Sequence, residues 1–534
     1  TKEQKHIIIH YGNRNSESDI KQLHLKKASE LYIIGEESRT DDMESYHDTM
    51  NMKCLDLVCQ EVEKISHFKK IENENKETIS DNRLLCRFMF EYQTTFNVFQ
   101  YSEISNTIRE YINFKPFHYY EMWAQKVLVC KTLDHTANYE YLPLEGESGI
   151  RKDDDDYVHL VVVGMTRMGT ALATQAALMA HYPNFVTKGK RTKITLIDEN
   201  ADKEKNFYID RYDRLFALSN WSYKEMVRSE SGADKLETVF THTPVEHDYL
   251  GGDFLDVEWE FIQGTVAQLE LQKYIEECAI KSRKMTIAIC KDEPSRCLAA
   301  ALNLEWRIYE NVLQVLVYNR YDDALVEQLH FKNKPKFKLS DGNELMEKES
   351  KQNTRRNIIS PFGNKLKAFG MASECYCEEI LRDSERLVGE FENVYSNGKR
   401  REPQKLTDYW SNVYASNTMW TKFRCVELKS GAISSEDIGI LAKVEHNRWV
   451  IEKLIMSYRH LSKEEHEKAK QCSLKHEVYK RNMAHRDICS NKILRDMVGE
   501  NGTNDERFIR KLVEIKQEFD RYKNDGSRDN STAC

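Results

Sequence analysis

The residues best suited to chemistry lie in one stretch, HLVVVGMTRMGTALATQAALMAHY, residues 159–182. An apolar run from Leu160 to Val163 meets Gly164. A short loop through Thr166, Arg167 and Met168 then leads to Gly169 and an alanine-rich segment. This order predicts a buried parallel strand, a tight turn and the N-terminus of a helix. Such an N-terminus presents unbonded N–H groups and the positive end of a dipole, an arrangement suited to a phosphate. The dinucleotide fingerprint is G-x-G-x-x-G, and here the loop reads G-M-T-R-M-G. The Cβ of Thr166 narrows the space through which backbone approaches a pyrophosphate. Two readings stay open: a nucleotide site, or the same fold with no ligand. Arg167 either pairs with a phosphate or faces solvent.

The elements needed to position this loop follow it. KITLIDEN (193–200) reads as a second strand ending in Asp198 and Glu199. A carboxylate there accepts from ribose hydroxyls, or else caps the next helix. EWEFIQG (258–264) is a third strand closed by Gly264, and a helix follows. MTIAIC (285–290), another helix and the strand VLQVLVYNR (312–320) complete a Rossmann-like unit over residues 157–330. Upstream, HIIIHYGN (6–13), ELYIIGEE (30–37) and RLLCRFMFEY (83–92) read as strands separated by helices. They repeat the order of EWEFIQG, MTIAIC and VLQVLVYNR. Residues 1–150 are therefore expected to be a partial lobe lacking its first half and its own glycine loop. RKDDDDY (151–157) reads as a solvated linker. Residues 331–400 read as a connector and helices with no sheet, residues 401–524 as a helical domain, and residues 525–534 as a disordered tail. The expected class is α/β followed by all-α, with one partial and one complete parallel sheet.

Composition bounds the function. A net charge of -8 disfavours a nucleic-acid partner. Thirteen cysteines without framework spacing suggest a reducing, cytoplasmic setting. Cys375 with Cys377, and Cys472 with His466 and His476, fall short of four convergent ligands, so no metal is expected. No apolar run reaches the length of a membrane span, and no signal peptide is evident. The chain begins at Thr1 rather than Met, consistent with a piece of something longer. There is no G-x-S-x-G and no H-E-x-x-H, and no catalytic residue is assigned, so the chain is expected not to be an enzyme.

The strand and glycine loop ending at Gly169, the acidic strand end at Asp198 and the turn at Gly264 together resemble the TrkA-N, or RCK, regulatory domains. Residues 12–38 are similar to the later half of such domains, closest in character to Castor/Pollux-type channel proteins. The resemblance covers about 300 residues. It implies a site for NAD(H) or an adenine nucleotide at Gly164, Thr166, Arg167, Met168, Gly169, Asp198, Glu199 and Gly264. It also implies pairing into a homo-oligomer and control of a potassium channel or other membrane pore encoded before Thr1, at the cytoplasmic face of a membrane.

Further on, LAKVEHNRWVIEKLIMSYR (441–459), AHRDIC (484–489), NDERFIRKL (504–512) and DYWSNVYASN (408–417) resemble the RyR domain, the ryanodine-receptor repeat. In that helix Glu445, His446, Arg448 and Trp449 lie on adjacent turns, with Tyr458 and Arg459 beyond them. An aromatic ring beside a guanidinium suits a base that stacks and a phosphate that pairs. His485 and a helix carrying Trp410, Tyr414 and Asn417 are expected to close the pocket. The rival reading is that these residues bond one another and fix the bundle. Two other functions remain: an NAD(P)-dependent or nucleotide-processing enzyme, and a scaffold in a bacterial defence or signalling system.

Overall fold

The computed structural model describes residues 9–35, 46–65, 67–68, 70–72, 78–91, 110–133, 140–228, 234–320, 365–371, 386–392, 406–428, 431–471, 473–499 and 503–529. It is a mixed α/β chain of two compact units, residues 1–122 and 123–534. The boundary expected near residue 150 thus falls earlier. The C-terminal helices belong to the same unit as the large sheet.

The first unit holds α1 (Glu17–Gln22), β1 (Glu30–Ile33), α2 (Tyr46–Glu63), an antiparallel pair β2 (Lys70–Glu72) and β3 (Thr78–Asp81), β4 (Leu84–Phe90) and β5 (Ile112–His118). Its sheet is parallel, in the order β1-β4-β5. Two of the anticipated strands are β1 and β4. β5 was not anticipated, and residues 9–13 carry no strand; the start of that expected strand lies outside the described residues. α3 (Tyr119–Leu128) carries the chain across the boundary.

The second unit opens with β6 (Tyr157–Val163), α4 (Arg167–Met179), α5 (Pro183–Lys188), β7 (Thr192–Asp198), α6 (Ala201–Arg211) and α7 (Asp213–Leu218). β8 (Trp221–Arg228) and β9 (Asp234–His242) form a hairpin. Then come β10 (Val257–Gln263), α8 (Leu269–Ser282), β11 (Arg283–Ile289), α9 (Pro294–Leu302), α10 (Trp306–Asn311), β12 (Gln314–Tyr318) and β13 (Leu366–Phe369). The eight strands run β13-β12-β11-β6-β7-β10-β8-β9, all parallel except the β8–β9 pair.

β13 corrects the expectation of a connector without sheet. Leu366, Ala368 and Phe369 are buried against β12, and a four-residue strand is too short to show a period in sequence. The neighbours β11-β12-β13 and β1-β4-β5 run in the same order. Of the three strands matched in sequence, the second and third, β1 with β11 and β4 with β12, hold these corresponding places, whereas residues 9–13 of the first carry no strand.

Register separates the two faces of the large sheet. Glu260 bonds Tyr274 of α8, whereas its neighbours Trp259 and Phe261 pack against Tyr208 of α6 and Phe216 of α7. Adjacent strand residues point to opposite faces, so α8 covers one side and α6 and α7 the other. Val161, Val162 and Val163 are at most 2% exposed; full burial of such side chains stabilises by about 1.5–3 kcal/mol each.

The C-terminal part comprises α11 (Leu406–Asn417), α12 (Met419–Arg424), α13 (Ser435–Ile455), α14 (Lys463–Gln471), α15 (Ser473–Arg481), α16 (Asn491–Val498) and α17 (Asn504–Asp529). It is not wholly helical: β14 (Arg459–His460) and β15 (Ala484–His485) form a short parallel ladder. α17 also runs through residues 525–529, where a disordered tail was expected. Propagating an existing helix adds a hydrogen bond for each residue fixed, so a polar sequence can continue it. α13 packs against α11, α16 and α17 on its own side, and against α4, α5 and α7 of the sheet layer.

Candidate functional site

The glycine loop sits where the strand order changes direction, between β6 and β11 at their carboxyl ends. In open α/β sheets this is where the crevice for a ligand opens. Both glycines are required by close contact. Gly164 has a φ of 104°, and a side-chain carbon there would lie 2.5 Å from the Cys290 carbonyl oxygen. A side-chain carbon at Gly169 would lie 2.1 Å from the Gly164 carbonyl oxygen.

Thr166 explains the missing middle glycine. It is the N-cap of α4, its extended backbone at φ -69° and ψ 174°. Its hydroxyl donates to the Cys290 carbonyl at 2.6 Å and accepts from the Gly169 N–H at 3.3 Å. One side chain therefore caps the helix and ties it to the end of β11. The first-turn N–H groups of a helix have no intrahelical acceptor. Thr166 takes one of them, leaving fewer donors for an anion than a glycine would.

The acidic strand end is also engaged. Asp198 accepts from the Met165 N–H at 2.8 Å through one oxygen and from the Asn200 N–H at 2.8 Å through the other. It thus fastens the glycine loop to the β7 turn, and each oxygen keeps a further lone pair for a hydroxyl donor. Glu199 pairs with Lys291 at 2.8 Å, and its carboxyl is held below the usual range by that hydrogen bond and charge. Gly264 donates to the Asp198 carbonyl, and Gln268 folds back to accept from the Thr265 N–H. Met168 is buried, while Thr166 and Arg167 are half-buried at the rim. Gly164, Thr166, Arg167, Met168, Gly169, Asp198 and Gly264 are therefore brought to one end of the sheet, with Glu199 exposed beside them.

The expected pocket on α13 is built differently. Glu445, His446 and Arg448 are at most 1% exposed. Arg448 Nε donates to Glu445 at 2.8 Å and its terminal nitrogen to Glu452 at 2.7 Å. Lys422 of α12 lies 2.8 Å from the other oxygen of Glu445, and Lys453 lies 2.8 Å from Glu452. Burial opposes ionisation of both glutamates. The neighbouring cations win and hold their carboxyls below the usual range. Burial pulls the Lys422 ammonium down, against the pull of Glu445. The Arg448 guanidinium is therefore committed to an internal ion network and is not presented to a phosphate. Arg459 is likewise held, by a two-pronged contact to Glu465 at 2.7 and 2.8 Å.

Trp410, Tyr414 and Asn417 are all buried on α11. Trp449 is half-buried and is the centre of an aromatic group. Its ring stacks on His446 at 6.1 Å and meets the edge of His485 at 4.9 Å, with Tyr458 6.4 Å from His485. Lys453 lies 5.7 Å from both the Trp449 and the Tyr458 ring centres. The structure joins Trp449, Tyr458, His446 and His485 in one cluster and places Glu445 and Arg448 in another.

No family model, no curated protein and no solved structure matches the chain. Among the described residues no group of three or more His, Cys, Asp or Glu is placed to hold a metal ion. No helix among them is long and apolar enough to cross a membrane. Cys375, Cys377 and Cys472 lie outside the described residues.

Sequence reasoning passed over Cys290, Lys291, Lys422, Glu452 and Lys453. Glu452 was readable, since it stands four residues after Arg448 on a helix. The Cys290 carbonyl was not, because any residue type supplies one. A buried bond from Arg424 to Glu145, 2.8 Å long, also ties α12 to the segment ahead of the sheet.

Proposed function

We propose that this chain is a nucleotide-sensing regulatory region, the reading that its resemblance to TrkA-N/RCK and RyR domains implies. In this reading the large sheet is a doubly wound, Rossmann-like sheet. The core β13-β12-β11-β6-β7-β10 has the order that binds dinucleotides at its reversal point. The observation that carries the reading is the glycine loop at that reversal point. Gly164 and Gly169 bring the start of α4 against the ends of β6 and β11 with no room for side chains. The phosphates of NAD(H) or an adenine nucleotide would lie over Gly164–Gly169 and the ribose near Asp198. A sensor needs a ligand that favours one of two states, and a packed route to its effector. α4 supplies the route, since it carries the loop at one end and packs along α13. The effector in this reading is a potassium channel or other membrane pore of the full-length protein, controlled by a homo-oligomer at the cytoplasmic face of a membrane.

Calorimetric titration with NAD+, NADH, ATP, ADP and AMP tests the proposal. The wild-type chain should bind at least one of them without turning it over. Ligand at about 100 times Kd should add about 2.7 kcal/mol to stability. Gly169→Val should abolish binding, because the added branch meets the Gly164 carbonyl. Turnover would move the chain to the nucleotide-processing enzymes. One observation favours a second reading, an inert scaffold: Asp198 and Thr166 already take the Met165 and Gly169 N–H groups. Absence of binding by every nucleotide would select it.

A further inference from the structure

A string of histidine and aromatic rings lies away from the glycine loop, where the loop between β9 and β10 (residues 243–256) meets the β14–β15 ladder. The His247 ring is 5.7 Å from that of His460 and 5.2 Å from that of Tyr249. Tyr249 in turn is 6.3 Å from His460 and 6.2 Å from the buried His466. Across the ladder His460 pairs in register with His485, which contacts Trp449 of α13. The docking is fastened by the backbone. Ser490 N–H donates to the Leu250 carbonyl at 2.7 Å, and Gly251 (φ 89°) packs so closely on Ser490 that a side-chain carbon would lie 2.0 Å from its hydroxyl.

We propose that this contact is a proton-sensitive latch between the sheet and the C-terminal helices, released when His460 takes up a second ring proton. The geometry fixes where that proton goes. His460 Nδ1 faces the Leu461 carbonyl at 2.8 Å, an acceptor only, so this nitrogen carries the ring hydrogen and Nε2 receives the added one. The surroundings do not favour the cation. The loop contributes His247 and the Tyr249 phenol, and α7 contributes Arg214. β14 contributes Arg459, α14 contributes His466 and Glu465, and β15 contributes His485, with Asp487 2 residues on.

Glu465 is the nearby carboxylate on α14, and it is already spent. It takes both prongs of Arg459 and the Ser462 N–H. Burial, His247, Arg459 and Arg214 together hold His460 below the ordinary imidazole value. The sign follows. A histidine depressed in the docked state stabilises docking above its undocked value near 6.5, and that stabilisation is lost as pH falls below it. His446, on the far side of Trp449, has the opposite sign. Burial opposes its cation, but Asp505 and the Cys489 carbonyl hold it above the ordinary value. Acid therefore loosens the loop end of the string and tightens the helix end.

Hydrogen exchange of the full chain at pH 7.5 and 5.5, corrected for intrinsic exchange rates, tests the latch. Protection of the peptides spanning 243–256 and 486–493 should fall at pH 5.5, by up to about tenfold, the ceiling that an undocked imidazole near 6.5 sets one pH unit below it. Protection within β6 and β11 should not change. His460→Gln, which keeps a donor and cannot charge, should hold both peptides protected at both pH values. His460→Lys should release them at pH 7.5. His247→Gln removes one ring from the pair and should make the pH response shallower, a second test if His460→Gln does not fold. Equal protection of the wild-type peptides at both pH values overturns the proposal. So does an unchanged pH response in His460→Gln, or in His247→Gln where that variant stands in.

Discussion

Replacing Arg448 distinguishes a structural guanidinium from a ligand-binding one. Arg448 is 1% exposed and stands between Glu445 and Glu452, both fully buried. Arg448→Met keeps most of the volume and removes the charge. Removing one partner of a buried pair costs about 3–5 kcal/mol, because the other charge is left uncompensated. Here each glutamate keeps a lysine, Lys422 for Glu445 and Lys453 for Glu452, at 2.8 Å. The cost should therefore fall at the low end, about 3 kcal/mol. Arg448→Ala also leaves a cavity and should cost about 5 kcal/mol. The assay is urea unfolding followed by tryptophan fluorescence. All 7 tryptophans lie in residues 123–534, so the signal reports the second compact unit alone. If Arg448→Met unfolds within about 1 kcal/mol of wild type, well short of the buried-pair cost, the ion-network argument is wrong. If the same variant also loses nucleotide binding, the guanidinium belongs to a pocket after all.

Two further outcomes follow from the same structure. Thr166→Gly restores the middle glycine and removes the cap. Substituting glycine for a capping threonine costs from a few tenths to about 2 kcal/mol, and the lost tie to Cys290 places this case towards the upper end. Nucleotide affinity should rise, since the Gly169 N–H is freed, and a calorimetric Kd unchanged or weaker than wild type would count against phosphates at this loop. For His446, the raised value means that its stabilisation is complete below pH 6.5 and is lost as pH rises through the folded value. Urea midpoints should fall between pH 6 and 8.5 more steeply for wild type than for Asp505→Asn, and parallel curves would refute the pairing.

Sequence alone determined the local facts. The apolar run into Gly164, the alanine-rich helix and the acidic end of the next strand each carry their signal within about ten residues, and each stands where it was read. The same holds for the long helix with Glu445 to Trp449, whose spacing placed those residues on adjacent turns. What sequence left open was which partners the side chains would find. A guanidinium beside a tryptophan suits a nucleotide until Lys422, from another helix, and Glu452 arrive to close the charges around it. Thr166 reads as an obstruction until the Cys290 carbonyl, 124 residues on, accepts its hydroxyl. β5 and β13 were invisible for a related reason. Their places in the sheet are set by pairing with β4 and β12, while their own sequences are too short or too mixed to show a period. Burial decided the rest. A charge is costly to bury unless it is paired, so once tertiary packing enclosed α13, its charged residues had to find partners, on α13 itself and in Lys422 of α12 and Asp505 of α17.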